Sequence, residues 1–263
     1  MAASLASHVA LVTGSTSGVG FGIARVLASR GAAILLTGLG DDKLIQECQQ
    51  SIKDDFDVPV SFVPANLSDQ LQVHKLAQTV IKDHPPGPDI LVNNAGFVHT
   101  SHVESHPIEV WDQLIAVMLT APFVLTKYLL PGMRRKEWGR IININSCHGL
   151  IGTAGKCGYS AAKHGLMGLT KTVAMDIADT GVTCNSINPG VVDTQTSRSI
   201  VDKLVAEKGI TKEAAQMERL SKQPIKKYTT VDQIGEAALF LCSSAADTMT
   251  GATITMDGGW TAT

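Results

Sequence analysis

Tyr159 and Lys163 stand four residues apart, and Ser146 lies thirteen residues before the tyrosine. On a helix that spacing puts the phenol and the ammonium on one face. A free phenol titrates near about 10, too high for a base at neutral pH. A neighbouring ammonium favours the phenolate and makes tyrosine a usable acid or base. A serine hydroxyl beside it can hold an alcohol or carbonyl oxygen. The three form a proton-transfer site for a carbon–oxygen group. Tyr-x-x-x-Lys also recurs by chance, so the set needs a frame that brings its members together.

A second set is the stretch Thr13-Gly-Ser-Thr-Ser-Gly-Val-Gly20. It follows an apolar run and opens an amphipathic one. Gly14, Gly18 and Gly20 let the backbone turn tightly and approach a pyrophosphate. A helix N-terminus offers it free N–H groups and a positive dipole end. The alternative is a tight strand–helix turn with no ligand.

The elements that must carry these sets follow from hydrophobic patterning. Short apolar runs at 8–13, 32–37, 60–64, 89–93, 140–145, 182–188 and 253–256 read as strands. Amphipathic stretches at 18–30, 41–54, 69–83, 109–135, 159–178 and 231–241 read as helices. The strands are near-continuous Val/Ile/Leu runs, so both faces are expected to be buried. Regular alternation implies an α/β fold, a doubly wound parallel sheet of Rossmann type in one domain, 1–263. Residues 194–230 break the pattern with two helical pieces, 198–207 and 212–221. They read as a helical lid over the ligand crevice.

Composition narrows the partners. The chain has 263 residues, 44% apolar and 17% charged, which excludes disorder. A net charge of -2 argues against nucleic acid. Residues 1–8 lack a basic n-region, and no run approaches 18 apolar residues, so neither a secretory signal nor a membrane span is expected. Five cysteines without CxxC spacing fit free thiols in a reducing, cytoplasmic setting. Cys147 and Cys157, beside Ser146 and Tyr159, read as packed residues or as redox-sensitive thiols. His99, His102 and His106 with Glu104 suit zinc by type, but motif spacing is missing, so no metal is expected. Glycine supplies the placement: of 24, seven fall in 14–40 and eight in 132–168, around the two sets above.

Together these features resemble the short-chain dehydrogenase/reductase family over essentially the whole chain. The matching pieces are the 13–20 loop, Asn93-Asn-Ala-Gly96, Ser146, Tyr159-Ser-Ala-Ala-Lys163, Pro189-Gly190 and Thr194. The resemblance implies that Tyr159 is the general acid/base and that Ser146 orients the carbonyl. Lys163 would hold the nicotinamide ribose and lower the Tyr159 pKa. Gly14, Thr16, Ser17, Gly18, Val19 and Gly20 would cradle the cofactor. Leu39, Asn66, Leu67, Asn93, Ala95 and Gly96 would line its adenosine side. Pro189, Gly190, Val192 and Thr194 would contact the nicotinamide. Asn66 stands where the family usually has Asp. No basic residue follows the second strand before Lys43, so NAD is expected over NADP. A homotetramer built on the two long helices is the family expectation.

Within the family the chain resembles the D-3-hydroxybutyrate dehydrogenases. The residues are Thr37-Gly-Leu-Gly-Asp41, His99-Thr100, His148-Gly-Leu150, Lys156, Ala206-Glu-Lys-Gly209, Gln223-Pro224 and Asp257-Gly-Gly-Trp-Thr-Ala262. By that resemblance His148 and Lys156 bind a substrate carboxylate. Val98, Val191 and Ile200 depart from it, replacing two amide donors and an aromatic wall. A buried hydrogen bond to a charge is worth about 1.5–3 kcal/mol, so a more apolar pocket is expected. Trp260 would cap the pocket or pack across a subunit interface. Met118 stands where the family usually has Asn, whose backbone helps hold a relay water. The reading is an NAD-dependent oxidoreductase of a secondary alcohol or ketone, its partner a small-molecule hydroxy or keto substrate, with a pocket expected to prefer a larger or less polar one than 3-hydroxybutyrate. The alternatives are a ketone or 3-oxoacyl reductase with a larger hydrophobic substrate, and a dinucleotide-binding regulator of low turnover.

Overall fold

The computed structural model describes residues 4–262. Residues 1–3, part of the N-terminal stretch read above for a signal, and Thr263 lie outside that description.

Seven strands form one sheet: β1 (Val9–Thr13), β2 (Ala33–Thr37), β3 (Val60–Phe62), β4 (Ile90–Asn93), β5 (Gly139–Ile144), β6 (Val182–Pro189) and β7 (Thr253–Met256). Their order is β3-β2-β1-β4-β5-β6-β7, and every pair is parallel. Side chains alternate between the sheet faces, as the two-residue strand period requires. Leu11, Leu35, Leu91 and Ile141 enter one core, while Val12, Ile34, Leu36, Val92 and Ile142 enter the other. Each such side chain contributes about 1.5–3 kcal/mol of apolar burial. That explains why the strands read as continuous apolar runs. The order reverses between β1 and β4, and at such a switch point a crevice opens beyond the strand C-termini.

Helices α1 (Gly18–Ala28), α2 (Asp42–Asp55) and α3 (Gln70–Asp83) connect the first four strands. The long helix expected over 109–135 is more articulated. It runs as α4 (Ile108–Ile115), one π-type turn (Ala116–Thr120) and α5 (Ala121–Arg135). Proline explains part of this. Pro122 brings no N–H to the Met118 carbonyl four residues back, so regular helical pairing fails there. Helix Ile108–Arg135 has the length and hydropathy to cross a bilayer, but it packs against α3 and the next helix instead. That next helix is α6 (Cys157–Asp176), which carries Tyr159 and Lys163. Helix α9 (Val231–Leu241) covers the opposite face beside α1.

The two helical pieces after β6 are α7 (Gln195–Lys208) and α8 (Lys212–Arg219). Both start sharply: Thr194 accepts from Ser197 N–H, and Thr211 accepts from Ala214 N–H. Gly209 closes α7 in the left-handed region at φ 63°, which its missing Cβ permits. Lys208 ties α7 to α8 through Glu218 at 2.6 Å. The Gln223 side chain accepts from Val191 N–H at 2.6 Å and anchors the end of this insertion to the tip of β6.

Candidate active site

A cavity of about 650 Å³ opens at the C-terminal ends of the strands. Its floor is the glycine turn. Gly14 takes φ 62°, and a Cβ there would sit 2.9 Å from the Ala95 Cα. A Cβ on Gly20 would sit 2.3 Å from the Gly14 carbonyl oxygen and 2.5 Å from Asn94 Nδ2. Gly20 therefore faces the turn rather than the cavity, and its bareness lets Asn94 latch the loop. Asn94 Nδ2 donates to the Thr13 and Gly14 carbonyls at 2.9 and 3.2 Å. Asn94 N–H and Ala95 N–H both donate to Thr13 Oγ1.

This cradle fits a pyrophosphate. Ser17 caps α1 in an extended conformation but gives it no side-chain hydrogen bond. Gly18 and Val19 line the cavity, so the first N–H groups of α1 are open to a bound anion. Thr16 and Ser17 stand on the same wall. Thr16 Oγ1 donates to the Leu39 carbonyl at 2.8 Å, which fixes the turn after β2.

The adenosine end comprises Leu39, Asn66 and Leu67. Asn66 Oδ1 accepts from Ser68 N–H and Oγ, so the amide shapes its own turn. Beyond Leu39 lies a second cavity lined by Asp42, Gln46, Gln49 and Gln72, with no lysine or arginine. Ala95, Gly96, Pro189, Gly190, Val192 and Thr194 complete the dinucleotide side of the wall. Asn93 does not join them. It is buried in β4 and its Nδ2 donates to Asn143 Oδ1 at 2.8 Å, because its side chain points along the sheet.

At the other end of the cavity stand Ser146, Tyr159 and Lys163. Lys163 Nζ donates to the Ile144 carbonyl at 2.8 Å and lies 5.7 Å from the Tyr159 ring centroid. Burial pushes the phenol up to about 12, with the Ser146 hydroxyl pulling the other way. Burial lowers the Lys163 ammonium to about 8. The ammonium was expected to bring the phenol down. In the chain by itself desolvation is the largest influence on both groups.

His148, Lys156 and Trp260 form a cluster behind this set and do not line the cavity. His148 Nδ1 lies 3.1 Å from Ser146 Oγ, and its ring stands 5.8 Å from that of Tyr159 and 5.3 Å from that of Trp260. Burial, then the charges of Lys156 and Arg219, lower His148 to about 4, so the ring is neutral at pH 7. Of the three aliphatic departures, only Val98 lines the cavity. Val191 is buried with its N–H held by Gln223, and Ile200 lies on α7, 37% exposed. Phe97, Val117 and Met118 join Val98 in an apolar wall.

Four features escaped the sequence reading. Asn94 was passed over for Asn93, since identical neighbours do not reveal which side chain leaves a strand. Asn145 lines the cavity with both side-chain polar atoms buried and unpartnered. Gln113 also reaches the wall. Arg219 follows the buried Ala215 by one helical turn, and that spacing was its available signal. The histidine loop holds no metal constellation. His106 Nδ1 pairs with Ser101 Oγ, and no group of three potential ligands occurs among the described residues. Burial raises the Cys147 thiol, which keeps it protonated.

The family model described as enoyl-(acyl carrier protein) reductase matches residues 14–261. With the parallel sheet and the glycine turn, this places the chain in the short-chain dehydrogenase/reductase family, as an oxidoreductase. More particularly, it is 44% identical over 260 residues to D-beta-hydroxybutyrate dehydrogenase of Cupriavidus necator, covering 98% of this chain and 99% of that one. It is 43% identical to the protein of the same name from Rhizobium meliloti, at 97% and 99% coverage. Among solved structures, L-sorbose reductase from Gluconobacter frateurii, complexed with NADPH and L-sorbose, superposes with a TM-score of 0.95 at 28% identity, covering all of both chains.

Proposed function

We propose that the protein is an NAD-dependent dehydrogenase that interconverts a small 3-hydroxy acid and its 3-keto acid. One juxtaposition carries this reading: the Ser146/Tyr159/Lys163 set abuts the pair His148 and Lys156, with His148 Nδ1 3.1 Å from Ser146 Oγ. Two relatives named D-beta-hydroxybutyrate dehydrogenase support it. A nicotinamide dinucleotide seated on the cradle would accept or return the hydride. It would be held by the α1 N-terminus, Thr16, Asn66, Lys163, Gly190 and Thr194.

The chain's own residues then have separate tasks. Ser146 Oγ holds the substrate oxygen. Tyr159 removes the hydroxyl proton during oxidation and returns it during reduction. Lys163 stabilises the phenolate that forms, and its ordinary charge matters more once the cavity closes. The Met118 carbonyl, deprived of its helical donor by Pro122, can serve a proton relay without an amide side chain. NAD is favoured because the space beyond Leu39 presents Asp42 and amides, where a 2′-phosphate needs a cation. Free thiols suit a reducing, cytoplasmic setting, and a homotetramer on α4–α5 and α6 completes the reading.

A second reading is a ketone or 3-oxoacyl reductase. The apolar wall of Phe97, Val98 and Met118 favours it, as does a relative of that name from Aquifex aeolicus at 31% identity. Nicotinamide absorbance with a panel of 3-hydroxy acids and bulkier hydroxy compounds, each with NAD and NADP, separates the two. The first reading expects turnover of D-3-hydroxybutyrate with NAD. Turnover confined to long-chain or uncharged compounds overturns it. Tyr159→Phe should lower kcat by about 10²–10⁴ with cofactor binding kept. Unchanged kcat would remove Tyr159 from the proton transfer, and cofactor binding without turnover of any compound in the panel would leave a dinucleotide-binding regulator.

A further inference from the structure

The cluster behind Ser146 has a second cation, beside Lys156, that the sequence did not reveal. Arg219 ends α8 in the lid, and its Nε is buried with no hydrogen-bond partner. Lys156, at the N-terminus of α6, has no ion pair and no side-chain hydrogen bond among the described residues. His148 is 6% exposed and its Nε2 is likewise buried and unpartnered. The Tyr228 hydroxyl is a fourth such group. Arg219 is their common neighbour: its charge makes protonation of His148 and Lys156 harder and favours ionisation of Tyr228.

Three carboxylates in this part of the molecule are already engaged. Glu218, next to Arg219 on α8, pairs with Lys208 at 2.6 Å. Asp193 pairs with Arg198 at 2.9 Å. Asp257 accepts from Gly259 N–H, Thr261 N–H and Thr261 Oγ1. Two half-buried cations with no ion pair among the described residues repel each other and lose part of their hydration. The fold tolerates this arrangement where a ligand brings the missing charge.

We propose that Arg219 is a specificity-determining residue that binds the substrate carboxylate together with Lys156, so that the lid selects a free hydroxy acid over an ester, a thioester or an uncharged ketone. The guanidinium presents a planar fork that can take both carboxylate oxygens, and Lys156 supplies a point charge beside it. His148 bridges this clamp to Ser146, which sets the distance from acid group to reacting oxygen. The two amide donors missing at Val98 and Ile200 are thereby replaced by one stronger donor from a different element. Because Arg219 rides on the lid, the acid also draws the lid toward Tyr159.

This rests on the hydroxy-acid reading above, and the test keeps the two apart. D-3-hydroxybutyrate and its methyl ester are compared as substrates with the full-length protein, Arg219→Met and Arg219→Lys. Arg219→Met should raise KM for the acid at least about tenfold, the loss of one charged hydrogen bond, with kcat within about threefold. KM for the ester should stay within about twofold, and Arg219→Lys should recover part of the acid's affinity. Cofactor affinity from nicotinamide fluorescence should not move. Should the methionine variant fail to fold, Arg219→Gln keeps length and polarity and reads the same difference. Equal KM changes for acid and ester, or none for either, overturn the role of Arg219. If the unmodified protein turns over no hydroxy acid at all, the function reading itself fails.

Discussion

The two ends of the crevice are built on opposite principles. At the cofactor end the protein satisfies itself. Asn94 holds the Thr13 and Gly14 carbonyls, Ser15 Oγ donates to the Val12 carbonyl, and Thr16 holds Leu39. What remains for a ligand there is backbone: open N–H groups at a helix start and room where Cβ atoms are missing. At the substrate end the side chains are left unsatisfied. His148 Nε2, Arg219 Nε and both polar atoms of Asn145 are buried without partners. The first end is held by its own hydrogen bonds. The second stores unpaired charge, and a particular ligand completes it.

The contrast can be broken from either side. The largest expected effect is at the cradle. Gly20→Ala drives a Cβ into the Gly14 carbonyl, which is backbone, and onto Asn94 Nδ2, which is held by its own hydrogen bonds. We expect a stability loss of about 1–3 kcal/mol and at least a tenfold loss of cofactor affinity, read by thermal melting and fluorescence titration. A variant that binds cofactor normally would show that the latch is dispensable.

The next effect is at His148 and depends on pH. Burial, with Lys156 and Arg219, lowers His148 from its ordinary 6.5 to about 4 in the folded chain. Between those values the unfolded chain takes up a proton that the folded chain refuses. Stability therefore falls as pH drops from 6.5 toward 4, by up to roughly 3 kcal/mol from this group. His148→Gln should flatten that part of the melting-temperature profile while leaving it unchanged above pH 7. Identical profiles would mean that the ring is not held neutral by its surroundings. The smallest effect is expected at the joint between the ends. Met118→Asn should leave kcat unchanged or raise it slightly, since the backbone carbonyl is the part available to a relay. A large drop in kcat would make the thioether, which packs against Gly96, a specific adaptation.

Legibility in the sequence followed the same division. The strands were read to within about two residues because burial on both faces leaves unbroken Val/Ile/Leu runs. Gly14, Gly18 and the Tyr159/Lys163 pair were legible because turns and helix faces are local geometry. The π-type turn inside 108–135 was not, since its cause couples Pro122 to a carbonyl one turn away. Asn94 and Asn93 differ only in which one leaves β4, and that depends on the neighbouring strand. Val191 and Ile200 were read as pocket residues from their positions in the chain. The β6 tip turns Val191 inward under Gln223, and α7 carries Ile200 outward.

By itself the sequence determined the parallel α/β architecture, the phosphate turn and the residues able to move a proton. Each depends on spacing over a few residues, where periodicity and backbone preference act. Only the tertiary structure decided that the Tyr159 phenol rises rather than falls, and that His148 is held neutral. It also decided that the charge of Arg219, at the end of α8, acts on both His148 and Lys156. Burial and Coulomb interactions depend on distance in space, and the fold brings together charges far apart in the chain.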